Sequence, residues 1–292
     1  MKKNKVLTLL VTGANGQLGM CLREIAPTVP HKFIFTDVAE LDITDGAAVA
    51  RMLDEHRPDW VINCAAYTAV DKAESDAEMA QLLNAKAVEV LALATKKAFS
   101  GLLHISTDYV YRGDNPAMLE EDTIPDPISV YGRTKMDGEV AARLNSEHII
   151  LRTSWLYSIY GNNFVKTMRR LGTEKQEVSV VSDQWGSPTS AHDLAKAIIV
   201  AVEKPKVGTY HFSNEGATNW ALFAEEIMLH SALECRVNYI TTADYPTPAA
   251  RPMYTLMSKR KFSTTFGIVI PEWEYSLEEV ITKLEKAKCH EK

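Results

Sequence analysis

The first half of the chain alternates short apolar runs with amphipathic stretches, and that rhythm restricts the fold more than any other feature. KVLTLLVTG, KFIFTD, DWVINCAA, GLLHISTD and HIILRTSW read as strands, the first buried on both faces. Between them, GQLGMCLREIAP, DGAAVARMLDEHRP, ESDAEMAQLLNAKAVEVLALATKKAF and YGRTKMDGEVAARLN read as helices. Strands and helices that take turns in this way predict an α/β fold, a parallel sheet covered on both faces. After Trp155 the rhythm loosens: NNFVKTMRRLG, SAHDLAKAIIVAVEK and NWALFAEEIMLHSAL are helical, GTYHFSN is a short strand, and DYPTPAARP is a proline-rich loop. The stretch after Glu278 predicts a charged terminal helix.

The 292 residues are 46% hydrophobic and 24% charged, enough for a sizeable core. No apolar run approaches the roughly 20 residues of a membrane span. The start, MKKNKVLTLLVTGANG, is basic and then apolar, but the run from Val6 to Val11 flows into glycines without a cleavage region, so it reads as a strand and not as an export signal. Cys21, Cys64, Cys235 and Cys289 are scattered, which predicts reduced thiols in a cytoplasmic protein. A net charge of −6 without a basic block argues against nucleic acid as a partner. An anionic ligand would therefore need a local cationic cluster, for which Lys166, Arg169 and Arg170 are the candidates, unless the two arginines face solvent.

The first strand runs into TGANGQLG, with Gly13, Gly16 and Gly19 at G-x-x-G-x-x-G and Asn15, Gln17 and Leu18 between them. Glycines at a first strand–helix junction let the backbone approach a pyrophosphate held at the helix N-terminus. This predicts a Rossmann-type, doubly wound dinucleotide domain. Asp37, roughly 20 residues on, suits a ribose 2′-hydroxyl, and so NADH over NADPH, or else is a loop or capping acid. Asp42 and Ile43 are placed to line the adenine. Ala65 and Ala66, followed by Tyr67, either let a cofactor pass close or serve tight packing. Ser106, Thr107 and Asp108 stand at a strand's carboxyl edge, as site residues or as a helix cap. Tyr131 and Lys135 then share one helix face, a spacing that chance supplies a little under once in such a chain. It reads as an ordinary i,i+4 contact or as a proton-donating tyrosine whose pKa a lysine lowers. The expected layout is a cofactor domain over 1–155 plus 188–205, and a smaller, chain-interleaved α/β substrate domain over 156–187 and 206–292.

These motifs, with NCAAYTAVDKAES, QLLNA, STDYVY, YGRTK, RTSWLY, GNNFVKTM, DQWGSPT and YPTPAARP in order, resemble the extended short-chain dehydrogenase/reductase family, and within it the dTDP-4-dehydrorhamnose reductases. The resemblance implies reduction of a dTDP-sugar ketone by NADPH or NADH in dTDP-rhamnose biosynthesis, which feeds cell-wall polysaccharide. It implies that Tyr131 is the proton donor, that Lys135 tunes it and binds the nicotinamide ribose, and that Thr107 hydrogen-bonds the carbonyl oxygen. It further implies sugar contacts from Asp108 and Trp155, nucleotide contacts from Asn163, Phe164 and Lys166, and a diphosphate contact from Arg251. The alternative readings are core packing for Trp155 and a surface ion pair for Arg251. Some family members pair through a magnesium ion held by glutamates; Cys21 and His192 stand at those positions, so no metal is expected, and the chain is expected to be a monomer or a metal-independent dimer. In YVYRG, Arg112 replaces an acid frequent in the family. The alternatives are another nucleotide-sugar reductase or epimerase, or a non-catalytic subunit like that regulating methionine adenosyltransferase.

Overall fold

The computed structural model describes residues 5–290, with side chains through 287. Five strands, β1 (Thr8–Thr12), β2 (Lys32–Phe35), β3 (Trp60–Asn63), β4 (Gly101–Thr107) and β5 (His148–Thr153), join the strand Gly208–His211 in one six-stranded sheet. All neighbours are parallel, and the order is Gly208–His211, β5, β4, β3, β1, β2. The chain leaves β1 toward β2 and returns on its other side to β3. That reversal is a switch point, and open α/β sheets carry ligands at the strand ends beside it.

Both faces of the sheet are covered. Leu9, Val11, Ile62, Leu103 and Leu151 pack one face against the helices Gln17–Ile25 and Ala191–Glu203. Leu10, Val61, Leu102 and Ile150 pack the other against Gly46–His56, Ala87–Lys97 and Val130–Ala142. The long helix expected over 74–99 is interrupted by a π turn, Leu82–Lys86. A second core gathers Val165, Met168, Val178, Val180, Phe223, Ile227, Trp273 and Leu277 around two parallel strands, Glu177–Val181 and Arg236–Ile240. The terminal helix, Trp273–His290, packs here.

The expected boundary at 206 is corrected. Gly208–His211 pairs with β5, and Phe262 and Phe266 of the helix Arg260–Phe266 enter the first core. Without that strand β5 would leave buried N–H and C=O groups unpaired. Cys21, Cys64 and Cys235 are free thiols; Cys289 and the lysine-rich start, residues 1–4, lie outside the described side chains. Among the described residues no helix is long and apolar enough to cross a membrane.

Candidate active site

The glycine loop is shaped by contact as much as by conformation. Gly13 has φ +63°, and a Cβ there would lie 2.6 Å from the Ala65 nitrogen. At Gly19 a Cβ would lie 2.5 Å from the Ala14 Cα. The helix Gln17–Ile25 begins behind Gly16 with no side-chain cap and no acid in its first turn. Its leading N–H groups are thus open to an anion. The Asn15 N–H donates to Asp37 Oδ2 at 2.9 Å, which draws that carboxylate to the loop, and the Asp37 N–H donates to Glu40. Asp42 is exposed and accepts from Thr44, while Ile43 is buried with Leu41 and Val49. Leu18 is likewise a core residue.

The helix Val130–Ala142 starts where Ser129 Oγ accepts the Gly132 N–H at 3.1 Å. This cap sets Tyr131 in the first turn and Lys135 one turn on. Burial pushes the Tyr131 phenol up to about 12; hydrogen bonding by Thr107 opposes this and the Asp108 charge adds to it. The expected net lowering by Lys135 is therefore absent. The Lys135 amine donates to the Ile105 carbonyl at 2.6 Å, and burial holds its pKa down to about 8. A phenol with so high a pKa keeps its proton at neutral pH, as an acid must.

Asp108 follows Thr107 at the end of β4 and is 2% exposed. Its Oδ1 accepts the Thr107 hydroxyl at 3.0 Å, and its buried Oδ2 has no protein partner. Burial raises this carboxyl to about 6, against hydrogen bonding from Thr255 and Thr107. A folded-state pKa above the unfolded one favours folding below the unfolded value, and that benefit is lost as pH rises through about 6. Asp108→Asn is therefore expected to stabilise the fold by about 2–3 kcal/mol at pH 8, with the gap closing toward pH 4. Denaturant midpoints across that range measure it; a pH-independent gap would contradict it.

The π turn carries Asn84, whose Oδ1 accepts the Tyr67 N–H at 2.8 Å. Its Nδ2 donates to the Tyr67 carbonyl and to Thr134 Oγ1, both at 3.1 Å. It thereby ties the Ala65–Ala66–Tyr67 segment to the Tyr131 helix. Gly138 makes this approach possible, since a Cβ there would lie 2.1 Å from the Asn84 carbonyl oxygen. Beneath the same helix, Glu139 accepts from Arg152 Nε and Nη2, each at 2.7 Å, and from Ser106 at 2.7 Å. Sequence reasoning missed Asn84, Glu139 and Arg152; a polar residue inside an apolar strand or helix face was their only signal.

Trp155 takes a left-handed φ of +47°, rare for a bulky residue. Its ring stacks on Trp220 at 3.7 Å and 13°, over Gly186, where a Cβ would lie 2.8 Å from the indole. Phe164 packs against Trp220 and Phe223 at the edge of the second core. Asn163 caps the helix Phe164–Glu174 and donates to Gln17 Oε1 and the Ser158 carbonyl, so its side chain is occupied within the protein. Lys166 reaches the Ile159 carbonyl at 3.4 Å. The expected cationic cluster is corrected: Arg169 pairs with Glu285, and Arg170 with Glu174 at 2.8 Å. Arg251 forms an ion pair with Asp71, at 3.0 and 2.7 Å, that straps the proline-rich loop to the helix Val70–Ala73. Arg112 pairs with Asp126 at 2.6 Å. Cys21 is buried, its thiol pushed up to about 12 by burial, and burial lowers His192.

The structure thus brings Thr107, Asp108, Tyr131 and Lys135 together at the carboxyl end of β4, with the glycine loop at the end of β1. A family model described as the RmlD substrate binding domain matches residues 7–286. The dTDP-4-dehydrorhamnose reductase of Salmonella typhimurium is 40% identical over 95% of this chain and 98% of its own length. The spore coat polysaccharide biosynthesis protein SpsK of Bacillus subtilis is 38% identical over 96% and 98%. Among solved structures, the dTDP-4-dehydrorhamnose reductase of Bacillus anthracis in complex with NADP is 39% identical, with TM-score 0.93 over 96% of this chain and 100% of that one. The UDP-glucose 4-epimerase of Thermus thermophilus shares the fold, with TM-score 0.84 at 17% identity over 96% of this chain and 100% of that one. The chain belongs to the RmlD family, the family of dTDP-4-dehydrorhamnose reductases.

Proposed function

We propose that this protein reduces the C4 ketone of dTDP-4-dehydro-6-deoxy-L-mannose to dTDP-L-rhamnose, with NADPH or NADH as the hydride donor and Tyr131 as the proton donor. The observation that carries this reading is a neutral, half-buried Tyr131 beside Thr107 and Lys135, in a chain 40% identical over 95% of its length to reductases of that name. Gly13, Gly16 and Gly19, with Asn15, Asp37 and Ala65, would hold the dinucleotide, which when bound supplies the hydride. The uncapped helix end and the space left at Gly13 fit that group. Asp37 and Glu40 favour an unphosphorylated ribose, while the relative solved with NADP supports use of either form.

Ketone reduction builds negative charge on the carbonyl oxygen. The Thr107 hydroxyl, turned from Asp108, donates a hydrogen bond to that oxygen, and Tyr131 gives it a proton. The Lys135 ammonium balances the phenolate left behind. Asp108, with one oxygen unpartnered, accepts a sugar hydroxyl. Trp155, backed by Trp220, presents an aromatic face to the sugar. Arg251, presented by the proline-rich loop, meets the diphosphate. Arg251→Ala is expected to raise KM for the sugar nucleotide by roughly 10–100-fold with a smaller change in kcat. An unmoved KM would reduce Arg251 to a clasp for Asp71. We place the enzyme in the cytoplasm as a monomer or metal-independent dimer, because Cys21 and His192 offer no hard oxygen to magnesium.

The test is loss of reduced-cofactor absorbance with a panel of 4-keto nucleotide sugars, with and without EDTA. Turnover selective for the dTDP-4-dehydrorhamnose substrate and indifferent to EDTA is the expected result. Selectivity for another nucleotide sugar would move the assignment within the fold, and dependence on divalent metal would overturn the metal-free reading.

A further inference from the structure

One buried polar row lies outside the roles given above. Thr12, Asn63 and His104 face one another at one level across β1, β3 and β4. They share the face on which Leu10, Val61 and Leu102 are packed, and each is 0–1% exposed. Polar side chains cost free energy in the middle of a sheet unless their bonding is complete. Here it is complete in only one arrangement. Asn63 Oδ1 receives the Thr12 hydroxyl at 2.7 Å and the Ala65 backbone N–H at 3.2 Å. A backbone N–H can only donate, so this fixes which end of the amide is oxygen. The Asn63 amide nitrogen then donates to His104 Nδ1 at 3.1 Å. Burial first, then the charges of Lys135 and Arg143, hold this imidazole well below its ordinary pKa, so it is neutral. A neutral ring whose Nδ1 accepts must carry its proton on Nε2. That nitrogen faces Lys135 Nζ at 3.4 Å, long for a hydrogen bond.

We infer that His104 is a positioning residue whose ring, locked by Asn63 as the Nε2–H tautomer, presents a donor instead of a lone pair to the Lys135 ammonium and so favours the amine form of that lysine. This rests on the reading of Lys135 as part of the active site. An ammonium has three N–H groups and no acceptor. The Ile105 carbonyl takes one of them, whereas the His104 Nε2–H can only donate, and only the neutral amine has a lone pair to accept it. The other groups that face Lys135 act the opposite way. Glu139, one turn along the same helix, and Cys64, beyond β3, both favour the charged form. Tyr131 lies one turn before it. His104 thus works with burial to set the pH at which the positive charge beside Tyr131 is lost. The sign is definite: removing the donor lets the ammonium persist to higher pH.

The test uses the full chain with 15N-labelled histidine and lysine. NMR of the His104 ring reads the tautomer, and a pH titration reads Lys135 Nζ, in wild type and two variants. His104→Met removes the donor and fills the space. Asn63→Asp keeps the acceptor for the Ala65 N–H but accepts from Nδ1–H, which turns an Nε2 lone pair to the lysine. A proton on Nε2 in wild type and on Nδ1 in Asn63→Asp is expected, with the Lys135 titration moved up by about one pH unit in both variants. The alkaline limb of kcat should follow by the same amount. A wild-type proton on Nδ1, or an unmoved Lys135 titration in every variant that folds, overturns the inference. The tautomer and the titration need no substrate. A chain inert toward the dTDP-sugar that still gives the expected spectra would lose the proposed function and keep this inference.

Discussion

Tyr131→Phe is expected to lower kcat by about 10²–10⁴-fold while cofactor affinity stays unchanged. The phenol is the only group of the trio placed to give a proton: Thr107 is a far weaker acid, and Lys135 is turned toward the Ile105 carbonyl. The substitution removes one oxygen and keeps the ring, which packs edge-on against Tyr109 at 5.4 Å, so the helix start is preserved. Hydride positioning and the Thr107 hydrogen bond would survive, which is why the loss is bounded and not total. Steady-state kcat with a parallel measurement of cofactor binding checks this. A fall below about tenfold would assign the proton to another group.

Glu139→Ala is expected to cost about 3–5 kcal/mol of folding stability. Glu139 is fully buried and Arg152 is 2% exposed. Burial alone would push the Glu139 carboxyl up; hydrogen bonding and charge from Arg152, then Ser106 and Arg143, more than offset it and hold the carboxyl below its ordinary range. Truncation leaves the Arg152 guanidinium buried with Tyr111 and one carbonyl as partners. Replacing both members by apolar residues, Glu139→Leu with Arg152→Met, is expected to cost far less, because an intact buried pair gains little over a well-packed apolar one. Because the folded carboxyl is depressed, its contribution is present at neutral pH and is lost as pH falls through its folded value. Chemical denaturation of the single and double variants decides this: equal losses would show that packing, and not an unpaired charge, sets the cost.

The parallel sheet was legible because its strands are apolar on both faces and carry little else. The glycine loop was legible because contact and conformation both exclude a side chain at Gly13. Tyr131 and Lys135 were legible because helical spacing fixes a shared face. What escaped depends on partners distant in sequence. Asn163 resembles a free ligand group until Gln17, Ser158 and Lys166 take up its bonding. Arg169 and Arg170 look like a cationic patch until Glu285 and Glu174 neutralise them. The lowering of Tyr131 by Lys135 assumes a charge effect larger than desolvation, and burial reverses that order. Gly208–His211 looked like part of the second unit because only four residues carry it; the open edge of β5 claims it. His104 reads as one odd residue in an apolar strand until its register with Asn63 is known.

In the proposed reaction, hydride passes from NAD(P)H to C4 of a dTDP-4-dehydro sugar while Tyr131 supplies the proton. The most direct measurement is to run the reaction with NADPH deuterated at the transferred position and locate the label in the product. One deuterium at C4 of dTDP-L-rhamnose is expected, with one cofactor oxidised per sugar reduced and no such product from Tyr131→Phe on the same time scale. Label at any other carbon, or product formed without net cofactor oxidation, would contradict it.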